Sequence, residues 1–440
     1  MFKQKLRRTI RWHALIFSPI ITGMIVFGAQ AQTPTVEEMW RVIQQQQKTI
    51  EALQARLVQT ETQVKETAET VEITADAVEV VSKESERSVD GGTSIGGYGE
   101  LHYNTLNDNE LGDGDDSIDQ VDFHRFVLYF GHEFTDDLRF FSELEVEHAL
   151  VKDSADGVNT GEVEVEQAWL EMDLNDQHRL RAGLDILPIG IFNVTHEPNT
   201  FYGVERNRVE TEIIPSTWWE AGIGANGELA PGWNYDAVLH SGLVVNTGGG
   251  SRFRPRDGRL KVAEAKNQDW AMTGRIRYTG IPGLEVGVSG HYEADITGTA
   301  DAYEIDATLF EGHVDWKHAS GFGLRALYAR WDMGDDTGIN PAVVDADTLA
   351  GWYVEPAYRF RLPSEMPGEA GIFGRYSVWD ERNRLAGALF KYEQFDQFSV
   401  GFNWWPHANV AFKFEAQWED ADGRVDRTFD GINLGLGYQF

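Results

Sequence analysis

The last ten residues alternate strictly in character. Ile432, Leu434, Leu436, Tyr438 and Phe440 occupy one parity, and Gly431, Asn433, Gly435, Gly437 and Gln439 the other. Successive side chains of a strand point to opposite faces, so this segment reads as a strand with one apolar face and one polar or small face. The same period recurs upstream. Phe398, Val400, Phe402 and Trp404 oppose Ser399, Gly401 and Asn403, while Val410, Phe412, Phe414 and Trp418 oppose Lys413, Glu415 and Gln417. Leu138, Phe140, Leu144 and Val146 oppose Arg139, Glu143, Glu145 and Glu147. The core of a soluble sandwich would not accept those charges unpaired, whereas a water-filled lumen accepts them.

Short turn signals recur at 134–137, 174–177, 229–232, 280–283, 318–321, 363–368 and 405–408. Between them lie longer polar stretches at 105–119, 150–161, 188–216, 245–267, 295–301, 333–348, 379–392 and 420–429. Seven turns and eight loops make fifteen connections. The pattern therefore predicts an all-β transmembrane barrel of about sixteen antiparallel strands over 93–440, with both of its ends on the short-turn side.

A different period precedes it. Val36, Ile43, Ile50, Leu57, Val64, Val71 and Val78 recur every seven residues, and Met39, Gln46, Leu53, Thr60, Thr67, Thr74 and Val81 follow three places after each. Apolar a positions with increasingly polar d positions predict an α-helical coiled-coil segment with a weak seam. A lone amphipathic helix or a disordered linker would suit the same Glu, Thr and Gln content. Residues 32–92 are expected to form this segment and a linker on the periplasmic side.

The first 31 residues combine Lys3, Lys5, Arg7, Arg8 and Arg11 with an apolar run from Ala14 to Val26 and end in Ala29-Gln30-Ala31. This is the form of a cleaved secretory signal peptide, with an uncleaved anchor as the alternative. No later stretch offers 18 consecutive apolar residues, so a membrane would have to be crossed by strands.

Composition narrows the function. The chain has 440 residues, no cysteine, 71 acids against 38 bases and a formal charge of −33. Thiol chemistry is excluded, and the charge argues against nucleic acid as a partner. The one G-x-S-x-G match, Gly92 to Gly96, lacks the strand-turn-helix setting of a nucleophile elbow. His102, His124, His132 and His148 match no H-E-x-x-H spacing, and the acids of 108–119 do not follow a helix-loop-helix calcium pattern. We expect no enzyme, no cofactor and no metal.

Arg181 to Gly190, followed by Phe201 to Arg208 and Trp218-Trp219-Glu220, resembles the phosphate-selective porin family, loosely over residues 94–440. Tyr438 and Phe440 resemble the C-terminal signature by which outer-membrane barrels are assembled. The resemblance implies a trimer of sixteen-stranded barrels in the outer membrane of a Gram-negative-type envelope, in contact with lipid and lipopolysaccharide. It also implies a channel for small hydrophilic solutes, anions such as phosphate among them.

Strand parity then gives expectations for the pore. Arg139, Arg179, Arg181, Arg275, Arg277, Arg359, Arg361 and Arg375 fall on the lumen side, as do Glu143, Glu145, Glu147, Asp185, Glu285, Glu293 and Glu355. Pairing could cancel much of the arginine field. The 188–216 stretch is long enough to be functional, and it is expected to fold inward as a constriction carrying His196, Arg206 and Arg208. The basic run Arg252, Arg254, Arg256, Arg259 and Lys261 reads as surface-exposed or lipopolysaccharide-facing. A second role is an envelope tether, since the 46 residues from Val36 to Val81 would reach roughly 70 Å as a helix.

Overall fold

A computed structural model describes residues 92–108, 117–151, 161–246, 254–265, 270–298, 305–334, 348–384, 390–422 and 428–440, together with Trp40, Gln44, Gln47 and Lys48. These last four are helical. The signal peptide, the rest of the heptad segment, Arg252 and most of the acidic 108–119 stretch lie outside the described residues. Residues 1–82 and 83–440 form separate compact units, and the barrel belongs to the second.

Sixteen strands run in chain order: β1 Thr93–Asp108, β2 Ile118–Thr135, β3 Leu138–Glu147, β4 Val163–Asp173, β5 His178–Ile186, β6 Trp219–Ala230, β7 Trp233–Ser241, β8 Trp270–Ile281, β9 Leu284–Glu293, β10 Ala307–Lys317, β11 Phe322–Met333, β12 Thr348–Arg361, β13 Glu369–Arg384, β14 Phe390–His407, β15 Val410–Ala421 and β16 Phe429–Gln439. Each pairs antiparallel with its sequence neighbours, and β1 pairs with β16 to close the barrel. Closure leaves no sheet edge, which is what allows strands to span lipid.

The two faces follow the parity read from sequence. Phe412, Phe414 and Trp418 of β15 are exposed, while Lys413, Glu415 and Gln417 between them are buried. Register sets these apolar faces side by side, with Phe412 between Trp404 and Leu436, and Phe414 between Phe402 and Leu434. The result is a continuous apolar outer band. Strands β13 and β14 pair further than the loop reading allowed, with Arg382 opposite Tyr392, so their connection is shorter than 379–392.

The ends meet at the seam. Phe440 accepts from the Gly97 amide at 3.0 Å and donates to the Gly97 carbonyl at 2.9 Å. Its ring stacks on Phe126, with Tyr438 also in ring contact, so the last aromatic residues sit where the barrel closes.

Candidate functional site

The connection between β5 and β6, residues 187–218, lies inside the barrel. The proof is the range of strands it touches. The Arg125 guanidinium of β2 donates to the His196 carbonyl at 2.7 Å, and Arg325 of β11 donates to the Thr200 carbonyl at 2.7 Å. Lys413 of β15 donates to the Gly203 carbonyl at 2.8 Å, Ser377 of β13 accepts from Asn207 at 2.8 Å, and His102 of β1 meets Glu205 at 2.9 Å. A segment hydrogen-bonded to inward-facing side chains from β11 across the β1–β16 seam to β2 of a closed barrel occupies its lumen.

Apolar residues drive it there. Leu187, Ile189, Ile191, Phe192, Phe201, Val209, Ile213, Ile214 and Trp218 are all buried, packed with inward-facing Leu309, Leu327, Trp331, Leu349, Tyr353 and Trp379. Burial of each such side chain favours the inward position by about 1.5–3 kcal/mol. A single π turn, Val209–Ile213, carries this contact. Glycines on the wall make room: a Cβ at Gly437 would meet Pro198 at 2.3 Å, and one at Gly351 would meet Ile213 at 2.9 Å.

Polar anchors fix the register. Both oxygens of buried Glu210 are used, Oε2 by the Ile191 and Phe192 amides and Oε1 by the Tyr353 hydroxyl at 2.6 Å. Burial pushes this carboxyl up to about 7. Burial would also push Glu205 up, but the His102 charge beside it outweighs this and holds it well below the usual carboxylate range.

The eight arginines expected on the lumen side all lie on inward-facing positions, and each has a carboxylate partner. Arg139 and Arg181 share Glu171 at 2.9 and 2.7 Å, and Arg181 also reaches Asp185 at 2.8 Å. Arg179 pairs with Asp173 at 3.1 Å, Arg275 with Asp236 at 3.0 Å, and Arg277 with Glu285 at 3.4 Å. Arg359 and Arg361 lie 2.6 and 4.0 Å from Glu369, and Arg375 bridges Glu355 and Glu415 at 3.2 and 2.6 Å. Two inner clefts border these pairs. One of about 640 Å³ is lined by Tyr202, Arg325, Arg359, Arg361, Glu369 and Trp405, and one of about 100 Å³ by Arg181, Asp185, Asp236 and Arg275.

The three residues expected at a constriction separate. His196 is 3% exposed and faces the wall of β3 and β4, so it does not line a passage. Arg208 is matched by Glu212 at 3.4 Å and Glu381 at 3.3 Å. Arg206 is half-buried and donates to the Thr217 hydroxyl at 2.8 Å.

Arg206 has company that the sequence did not reveal. Arg256, in a 3₁₀ turn at Pro255–Gly258, donates to the Thr211 and Ser216 carbonyls at 2.7 and 2.8 Å. Arg259 donates to the Pro215 carbonyl at 3.2 Å and also to that of Thr217. The basic run is thus docked on the infolded segment, not turned to the outer surface, because its guanidinium groups satisfy carbonyls the π turn leaves open. Among the residues whose side chains are described, Arg206, Arg256 and Arg259 stand in no ion pair within 4 Å, and their hydrogen bonds go to neutral groups. Burial and then the neighbouring Arg259 charge push Arg256 down to about 9, and burial and then Arg206 push Arg259 down.

Residues 96–440 match the family described as Phosphate-selective porin O and P. An uncharacterized protein of Aquifex aeolicus (strain VF5) is 33% identical over 353 residues, 76% of this chain and 77% of that one. The barrel is similar to the anion-selective porin from Comamonas acidovorans, with a TM-score of 0.50, 10% identity and coverage of 80% of this chain and 100% of that one. It is also similar to the outer membrane channel DcaP of Acinetobacter baumannii, with a TM-score of 0.50, 14% identity and coverage of 80% and 98%. At these identities the likeness is one of fold. The chain belongs to the phosphate-selective porin O and P family, outer-membrane barrels that form channels for passive diffusion.

Proposed function

We propose that the barrel passes small hydrophilic solutes and prefers anions, phosphate among them, and that Arg206, Arg256 and Arg259 set the preference. The observation that supports this reading is charge balance. The strand arginines are paired with carboxylates, whereas three guanidiniums hydrogen-bonded to neutral groups converge on residues 211–217 of the infolded segment, with Glu212, Glu164 and Glu166 acting on them at longer range. Unmatched like charges in a confined lumen attract counter-ions.

The constriction in this reading is the infolded segment, with Arg206 facing the solute and Arg208 held as a structural ion pair. The heptad segment, whose spacing is its support, would join barrels as a periplasmic coiled coil and help hold a trimer. The tether reading rests on the same spacing.

Reconstitution of the mature protein in planar bilayers under a salt gradient tests the proposal. Stepwise openings with a zero-current potential of anion-favouring sign are expected. Cation-favouring openings would remove the anion preference, and a folded barrel without openings would remove the channel and leave the tether.

A further inference from the structure

One corner of the inner wall is built unlike the rest. His196 of the infolded segment faces Glu143 of β3 and Glu166 of β4, and the three residues are 3%, 1% and 2% exposed. His196 Nε2 lies 3.4 Å from Glu143 Oε1 and 3.5 Å from Glu166 Oε2, and the three atoms lie within 4.8 Å of one another. None of the three atoms has a hydrogen-bond partner. Arg125 beside it gives its Nε and Nη2 to Glu100 at 3.0 and 2.6 Å, and Nη2 also to the His196 carbonyl, while its Nη1 lies 3.9 Å from Glu145.

We infer that His196, Glu143 and Glu166 bind a divalent transition-metal ion of the Zn²⁺ class, pinning the infolded segment to the barrel wall. The imidazole is prepared for it. Nδ1 lies 3.2 Å from the Asn193 carbonyl, so the proton belongs on Nδ1 and the Nε2 lone pair points at the two carboxylates. That arrangement calls for a positive species, a metal ion or a second proton, between the three atoms. The spacing also fits a metal. Bonds of about 2.0–2.2 Å around a tetrahedron put neighbouring ligand atoms about 3.4 Å apart. A protonated imidazole bound to the carboxylates would draw them to about 2.7–2.9 Å instead. One nitrogen and two carboxylate oxygens suit Zn²⁺ or its first-row neighbours better than the all-oxygen preference of Ca²⁺ or Mg²⁺. Glu145, on the same face of β3 and likewise buried, stands beside the site with its Oε2 3.9 Å from Arg125 Nη1.

The test uses purified full-length barrel in detergent, stripped with EDTA and then titrated with Zn²⁺ by calorimetry, with bound metal counted by elemental analysis. One Zn²⁺ per chain is expected. His196→Gln and Glu166→Gln should each weaken binding by more than the ~10–100-fold that loss of an outer-shell partner costs. A folded wild type that takes up no Zn²⁺, or variants that bind it as the wild type does, would overturn the site. Should the variants fail to reach the barrel form, X-ray absorption of Zn²⁺-loaded wild type decides: a light-atom shell at about 2.0–2.2 Å with the outer-shell scattering of one imidazole ring supports it, and a shell without imidazole scattering overturns it. Metal content is read without any current, so failure here leaves the channel reading untouched.

Discussion

The Tyr353 hydroxyl of β12 donates a 2.6 Å hydrogen bond to Oε1 of Glu210, tying the π turn of the infolded segment to the wall through a buried carboxyl. Tyr353→Phe removes the donor and keeps the ring. It leaves a buried acceptor with one partner fewer, at a cost of about 1–3 kcal/mol to docking of the segment. Faster hydrogen exchange confined to residues 191–214, with the barrel strands unchanged, is the expected result.

The same carboxyl gives a pH dependence. Its folded value is raised to about 7 by burial, so the docked state holds its proton at a pH where the free segment has lost it. Docking is therefore strongest below the ordinary carboxylate range and weakens as pH rises from about 4.5 to about 7, at a limiting slope of about 1.4 kcal/mol per unit. Exchange protection of 191–214 should fall over that window in the wild type and stay flat in Glu210→Gln.

Gly437 faces Pro198 with no space for a side chain. Gly437→Val must push the segment off the wall of β16, an overpacking cost of about 1–3 kcal/mol. Larger and noisier single-channel openings are expected, because the lumen loses its filling while the outer apolar face of β16 is untouched. An unchanged conductance would contradict the placement of the segment.

Ion pairs on the wall differ in worth with burial. Arg375 is buried between Glu355 and Glu415, whereas Arg361 is 88% exposed beside Glu369. Arg375→Ala strands two carboxylates and should lower stability by about 3–5 kcal/mol in urea unfolding, while Arg361→Ala should leave it within about 0.5 kcal/mol.

The barrel was legible because lipid and lumen enforce a period of two on every strand, as in Phe412, Phe414 and Trp418 against Lys413, Glu415 and Gln417. The inward parity of the strand arginines is readable from the same alternation, and the β5–β6 connection stands out by length alone. What escaped the sequence is the apolar patch inside the lumen. Leu309 is flanked by outward Phe310, Leu327 by outward Tyr328, and Tyr353 by outward Trp352, so apolar residues on both faces erase the alternation. The glycines at 435 and 437, small positions in the alternation of β16, mark a close approach of the segment, as does Gly351 on β12. The basic run at 254–261 was misplaced because its partners are backbone carbonyls of a distant segment, and carbonyls leave no mark in a sequence.

In the proposed channel the guanidiniums of Arg206, Arg256 and Arg259, and not the strand arginines, set the ion preference. This is tested most directly by the zero-current potential of single channels of wild type and of Arg206→Ala, Arg256→Ala and Arg259→Ala combined, in the same salt gradient. An anion-favouring wild type is expected, with a preference that falls to neutral or reverses in the triple variant while stepwise openings are kept. A triple variant as anion-selective as the wild type would contradict it.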